Sequence, residues 1–247
     1  MPGIHEIAPD VYRIGIYVPD IDLEFCHFVV RDEEPLLFHT GLRAMFPAVR
    51  ELVGKLVDPA AIRWIGFSHF ESDECGALNQ WLAVAPGAVP VCGLIQSMVN
   101  VNDFSDRTPR VLLPDQTLTT GARRFRFVPT PHLPHGWDAG VLFEETRRTL
   151  FCSDLFHQWG EQEPLTRSDV TERAREALMR SESGPFANYV PYTDHTGRIL
   201  DQLAALEPRT LATMHGSSFE GDCAGSIRQL AGVMREVLRP RAAVSGG

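Results

Sequence analysis

Residues His69-Phe70-Glu71-Ser72-Asp73 place three hard, metal-competent ligands on alternate positions, directly after the apolar run Arg63-Trp64-Ile65-Gly66-Phe67-Ser68. Alternate residues share a face only while the chain is extended. The pattern therefore calls for a loop that leaves a strand edge and aims three side chains into one pocket. Three more junctions of the same kind follow. Phe125-Arg126-Phe127-Val128-Pro129 leads into Thr130-Pro131-His132-Leu133-Pro134-His135-Gly136-Trp137-Asp138, Thr149-Leu150-Phe151-Cys152-Ser153 delivers Asp154, and Leu211-Ala212-Thr213-Met214 delivers His215. A single histidine after a strand is usually a surface or hydrogen-bonded residue. Four junctions in series, each ending on an imidazole or a carboxylate, point to a metal centre at a sheet edge.

In order and local wording these motifs resemble the metallo-β-lactamase superfamily, an α/β class in which an αββα sandwich holds one or two metals at the ends of its two sheets. The resemblance runs from Tyr12 to about Leu230. It is closest to the diiron branch, the flavodiiron proteins and their flavodoxin-less relatives, the oxygen-binding diiron proteins. Glu71 carries the distinction, because hydrolases of the superfamily usually have a histidine at that place. The resemblance implies that His69, Glu71 and His135 are terminal ligands of one metal, that Asp73 and His215 serve the second, and that Asp154 bridges the two. His135-Gly136-Trp137-Asp138-Ala139-Gly140 is near the family's habit of a histidine, an aromatic and an aspartate before the next strand. Position 74 departs from the hydrolase pattern, with Glu74 in place of a histidine. That leaves Glu74 outer-sphere and the second metal under-coordinated or open to ligand.

Three imidazoles and three carboxylates suit iron or manganese better than a thiolate-rich zinc site would, although zinc accepts both ligand types. The resemblance thus implies two non-haem iron ions that bind dioxygen or nitric oxide. Full reduction of dioxygen takes four electrons and an iron pair supplies two, so turnover requires a donor. The chain stops at Gly247, roughly where a fused flavodoxin would begin, and has no pair of Cys-x-x-Cys motifs of the rubredoxin kind. No FMN bound by this chain is expected. The expectation is an oxygen carrier or sensor, or a reductase served by a separate flavoprotein or rubredoxin-like donor, and the family's homodimers make a homodimer plausible. The alternative is a dinuclear zinc hydrolase of esters, lactones or phosphodiesters, in which a metal-bound water attacks from the same six ligands. Glu71 and Glu74 weigh against it, since both add negative charge beside such a nucleophile.

Two further histidines are candidates for a catalytic role. His157, three residues after Asp154, either faces the site or caps a turn. His195, in Tyr192-Thr193-Asp194-His195, either reaches the pocket as a proton donor or sits on the surface beside a helix cap. His132 competes with His135 as a ligand, but the aromatic and aspartate that follow favour His135. Phe70, Trp137, Phe156, Trp159 and Phe219 lie beside the motifs, where they line a gas pocket or simply pack the core.

The rest of the chain agrees with this architecture. A length of 247 residues with 44% hydrophobic content builds one substantial core, and a single domain over residues 1–247 is expected, with a frayed tail from about residue 240. A formal charge of −9, from 32 acidic and 23 basic residues, argues against a nucleic-acid surface. Five cysteines, an odd number outside any staple pattern, fit a reducing compartment, and Cys75 lies close enough to the motifs for an oxidation-sensitive role. The N-terminus lacks a secretory pattern and no segment approaches about 18 unbroken apolar residues, so a cytoplasmic protein with no membrane association is expected. Hydrophobic period and turn residues predict strands over 11–16, 23–31, 35–39, 62–68, 89–93, 110–113, 116–118, 123–129, 139–144, 149–153 and 212–214. Helices are predicted over 46–56, 74–83, 170–179, 196–206 and 226–238, with a short helix or lid over 96–106.

Overall fold

The computed structural model describes residues 3–238. The tail expected from about residue 240, and the first two residues of the N-terminus, lie outside the described residues. Two seven-stranded mixed sheets pack face to face. The first contains β1 (Gly3–Ala8), β2 (Val11–Val18), β3 (Leu23–Val30), β4 (Leu36–Phe38), β5 (Trp64–Gly66), β6 (Val89–Cys92) and β7 (Arg110–Val111), in sequential order. Its first four strands are antiparallel neighbours and its last four parallel. The second contains β8 (Leu118–Thr119), β9 (Arg124–Pro129), β10 (Gly140–Glu144), β11 (Thr149–Phe151), β12 (Leu165–Thr166), β13 (Thr210–Ala212) and β14 (Ser218–Glu220), in the order β12-β14-β13-β11-β10-β9-β8.

The strands alternate between two apolar layers, as the period of two requires. On β3 and β4, Cys26, Phe28, Val30, Leu36 and Phe38 face inward and meet Phe125, Phe127, Leu142, Phe151 and Ala212 of the opposite sheet. Val29 and Leu37 face outward, onto α1 (Phe46–Val53) and α3 (Leu78–Val84). On the second sheet Val141, Phe143, Leu150 and Leu211 face outward against α6 (Val170–Glu182), α7 (Thr196–Ala205) and α8 (Cys223–Leu238). The result is the expected αββα sandwich. Phe28 and Phe151 cross the middle layer edge to face at 5.4 Å, and each is fully buried, which contributes roughly 1.5–3 kcal/mol per side chain.

Four details depart from the expected elements. The helix expected over 74–83 is broken into α2 (Ser72–Cys75) and α3, because Ala77 N–H leaves the helical ladder and donates to Gly41 O at 2.9 Å. The strand carrying His215 lies two residues earlier than expected, in register with β11 through the pairs Thr149 with Thr210 and Phe151 with Ala212. Residues 94–104 form α4 (Leu94–Gln96), a π-turn and α5 (Asn102–Phe104) in place of one regular helix. Strands β1, β12 and β14 were not expected, and β12 is two residues long, too short to show a period.

Candidate metal centre

All four junctions open at the same end of the sandwich. His69 follows β5, His135 sits in the loop after β9, Asp154 follows β11 and His215 follows β13. Extended backbone at Glu71 puts His69 and Glu71 on one side, and Asp73 lies in the first turn of α2. His69 Nε2 stands 2.8 Å from Glu71 Oε2, and His135 Nε2 stands 2.8 Å from Asp154 Oδ2 and 3.5 Å from Glu71 Oε2. The ligand atoms of His69, Glu71, His135 and Asp154 all lie within 4.8 Å of one another. The other oxygen of Asp154, Oδ1, faces His215 Nε2 at 3.3 Å, and Asp73 Oδ2 approaches the same nitrogen at 3.3 Å. Asp154 therefore directs one oxygen to each half of the cluster, the disposition a bridging carboxylate needs.

The donor set fits metal ions. Asp73 Oδ1 and Asp154 Oδ1 are buried without a hydrogen bond of good geometry, an expensive arrangement unless a cation accepts their lone pairs. Electrostatics point the same way. Burial opposes charge on His69 and His215, yet the surrounding carboxylates hold both imidazoles well above their usual range; burial would raise Asp154, and His135 with His215 holds it well below. A cation that displaces those protons meets ligands already paired for it.

Glu74 is buried and does not join the ligand cluster. Its Oε2 accepts from the backbone N–H of Ser68 at 2.6 Å and of His69 at 2.8 Å, and its Oε1 accepts from Ser153 Oγ at 2.9 Å. The same Oε1 lies 3.3 Å from His69 Nδ1 and 3.5 Å from His39 Nε2. Burial would raise this carboxyl, but His69 and His39 push it down to about 2. Glu74 thus ties the His69 loop to the Asp154 loop and orients the His69 ring. Asp138 Oδ2 accepts from Phe70 N–H at 3.1 Å, and Gln96 donates to Ser68 O at 2.7 Å, so the loop is braced from three sides.

His215 is oriented from the opposite sheet. Glu24 O lies 2.8 Å from its Nδ1, and Arg13 donates to Gly216 O at 3.0 Å while pairing with Glu24 Oε2 at 2.6 Å. Gly15 leaves room for that pair, since a β-carbon there would stand 2.6 Å from Arg13 Nη1. Gly216 adopts φ 101°, and a β-carbon on it would stand 2.6 Å from Gln158 Cβ, so glycine is required on both counts.

The remaining candidates separate. His157 packs against His215 with ring centroids 4.9 Å apart, and burial pushes its imidazole down to about 3, so it is neutral at pH 7. His195 is exposed at the start of α7, where its Nδ1 lies 3.2 Å from Arg198, and it does not line the cavity beside the cluster. The structure thus places it on the surface, because α7 turns its buried face, Ile199, Leu200 and Leu203, toward sheet two. His132 is also exposed. Phe156 and Trp159 line the cavity, Phe70 packs edge to face on Phe104, Trp137 is exposed and Phe219 belongs to the core. Cys75 is buried beneath Glu71 O and burial raises its thiol, which makes it a poor thiolate. Sequence reasoning missed Tyr189, whose hydroxyl donates to Glu71 Oε1 at 2.7 Å and whose ring lies 4.4 Å from that of His135. The segment that carries it has no hydrophobic period, and its only cue is the pair Phe186 and Tyr189.

A cavity of about 220 Å³ opens from the carboxylates of this cluster toward α6 and α8. Among the described residues, no helix is long and apolar enough to cross a membrane.

The family profile described as ODP family beta lactamase matches residues 24–216. The rubredoxin-oxygen oxidoreductase of Megalodesulfovibrio gigas is 27% identical over 199 residues, which cover 78% of this chain and 48% of that protein. Among solved structures, rubredoxin oxygen:oxidoreductase from Desulfovibrio gigas superposes with a TM-score of 0.79 at 19% identity, over 93% of this chain and 61% of that one. The flavodiiron protein from Giardia intestinalis gives 0.76 at 19% identity, over 94% and 59%. A fragment, residues 1–254, of a putative diflavin flavoprotein from Nostoc sp. gives 0.77 at 15% identity, over 95% and 96%. This chain therefore spans about half the length of the curated relative it matches.

Proposed function

The chain belongs to the ODP family beta lactamase group, and from that premise we propose that it is a non-haem diiron protein that binds dioxygen or nitric oxide. The observation that carries this reading is the glutamate at position 71 inside a convergent set of three imidazoles and three carboxylates. Two ferrous ions in that set would supply two electrons and an open position for a diatomic gas. His69, Glu71 and His135 would hold one ion and Asp73 and His215 the other, with Asp154 placed to serve both. Glu71 is kept in place by the Tyr189 hydroxyl, which burial and the neighbouring carboxylate hold in its protonated, donating form. The neutral His157 ring covers His215 and keeps water from its outer face.

Turnover of dioxygen to water draws on an external donor, a flavoprotein or a rubredoxin-like protein, as the name of the Megalodesulfovibrio gigas relative suggests by analogy. Without a donor the same centre acts as a carrier or sensor. Glu71→His tests the reading. The substitution is expected to shift the bound metal from iron toward zinc and to abolish the optical change on exposure to air. Unchanged iron content with unchanged gas binding would overturn the assignment of Glu71.

A further inference from the structure

We propose that the cavity beside the metal centre is a binding site for an uncharged organic molecule with an apolar body of about six to ten non-hydrogen atoms. Size is the first argument. The cavity measures about 220 Å³, whereas an apolar cavity of about 150 Å³ accommodates benzene and one water takes a share of only about 30 Å³. A diatomic gas would occupy only a small part of that space.

The wall gives the second argument. Ala174, Ala177 and Ser181 of α6 stand at helical spacing on the face that meets the cavity, and Leu155, Phe156 and Met234 close the other sides. A leucine at 177 would fill much of the space that alanine leaves. At one end the wall ends on Glu71, Asp73 and Asp154, so an occupant lies between an apolar pocket and the metal ligands.

Charge gives the third. Among the described residues no lysine or arginine lines the cavity, and its basic groups, His135 and His215, stand at the metal end, so a carboxylate or phosphate held against the α6 wall would have no basic partner beside it. His157 lines the cavity and its Nε2 is buried with no hydrogen-bond partner, which suits an occupant carrying one hydroxyl, carbonyl or ring N–H. Phe186 and Tyr189, both about half exposed, form an aromatic rim at the opening. The site is made by the protein wall and is independent of which metal the centre holds.

Calorimetric titration with indole and with benzoate, on the iron protein and on the same protein after replacement by zinc, tests the proposal. Indole is expected to bind once per chain with a dissociation constant below about 1 mM in both metal forms, a modest demand on a nine-atom ligand. Benzoate is expected to bind at least tenfold more weakly. Ala177→Leu is expected to weaken indole at least tenfold with metal content unchanged, and Ser181→Leu does the same should the first variant fail to fold. The proposal is overturned if indole does not bind, if benzoate equals it, or if a folded filling variant binds indole like the parent. Binding to the iron form alone would place indole on the metal, which also overturns it, whereas binding to both forms in a protein that proves to hold only zinc would leave it standing while the diiron reading fails.

Discussion

The two halves of the metal cluster are held by different means. In the first, His69, Glu71, His135 and Asp154 converge with ligand atoms within 4.8 Å, on loops tied together by the buried Glu74. In the second, only Asp73 and His215 join the shared Asp154, each contact at 3.3 Å, and the support comes from Arg13 and Glu24 across the sandwich. One position accounts for the difference. A side chain at 74 that turned toward the second metal would leave the backbone of Ser68 and His69 without its acceptor. Here the carboxylate braces the first half, and the second half is left with fewer protein ligands. On the proposed diiron reading, the first site would hold its metal more firmly than the second.

Asp154→Ala removes the one residue common to both halves, so it is expected to lose both metals together; elemental analysis that still finds two at full occupancy would end the bridging role. Glu74→Gln acts on the first half. It is expected to weaken the first metal by about 100-fold, at the upper end for a supporting residue, and to destabilise the metal-free protein by about 3–5 kcal/mol. The sign of its pH dependence is fixed by the depressed carboxyl. The fold holds Glu74 down to about 2, below the value of an unfolded glutamate, so its contribution is complete above the unfolded value and is lost as pH falls toward the folded one. Denaturant titrations of the metal-free parent and variant across that window should converge at low pH, and parallel curves would contradict the brace.

Arg13→Met separates the halves. It strips Glu24 of its buried partner and frees the Gly216 carbonyl, so the second metal should weaken by about tenfold while the first is unaffected. Equal loss at both sites, read from competitive chelator titration, would mean that the halves are not supported independently. The smallest effect belongs to Tyr189→Phe, which deletes one hydrogen bond to a ligand that keeps its metal. A change of about 0.5–1.5 kcal/mol in first-metal binding is expected, and a loss of the metal altogether would make Tyr189 part of the scaffold.

The contrast between the halves also separates what the letters carry from what they do not. Strand-end position could be read, because an apolar run followed by a histidine or an aspartate marks a residue delivered to the end of a strand. The sandwich came from the resemblance of the motifs to the metallo-β-lactamase superfamily; β4 and β10 are buried on both faces, so their letters do not separate inward from outward side chains. For Glu74 the resemblance gave a place outside the ligand set but not the groups it holds, because its bonds to Ser68, His69 and Ser153 exist only once the two loops meet. Arg13 and Glu24 lie about 200 residues from Gly216 in sequence, and their contact exists only once the two sheets pack. The two readings of His195 could not be separated in the sequence for a related reason. Lying just before a helix does not say which face the helix buries, and α7 buries the apolar one.

Metal content per chain, measured by plasma mass spectrometry on protein made in iron-replete cells and purified without oxygen or chelator, tests the central claim most directly when combined with an optical spectrum before and after air. The account predicts about two irons per chain, as the six-ligand set of two sites requires, and a charge-transfer band that grows on exposure. Zinc as the dominant metal, with a spectrum indifferent to air, would contradict it and turn attention to ester, lactone and phosphodiester hydrolysis.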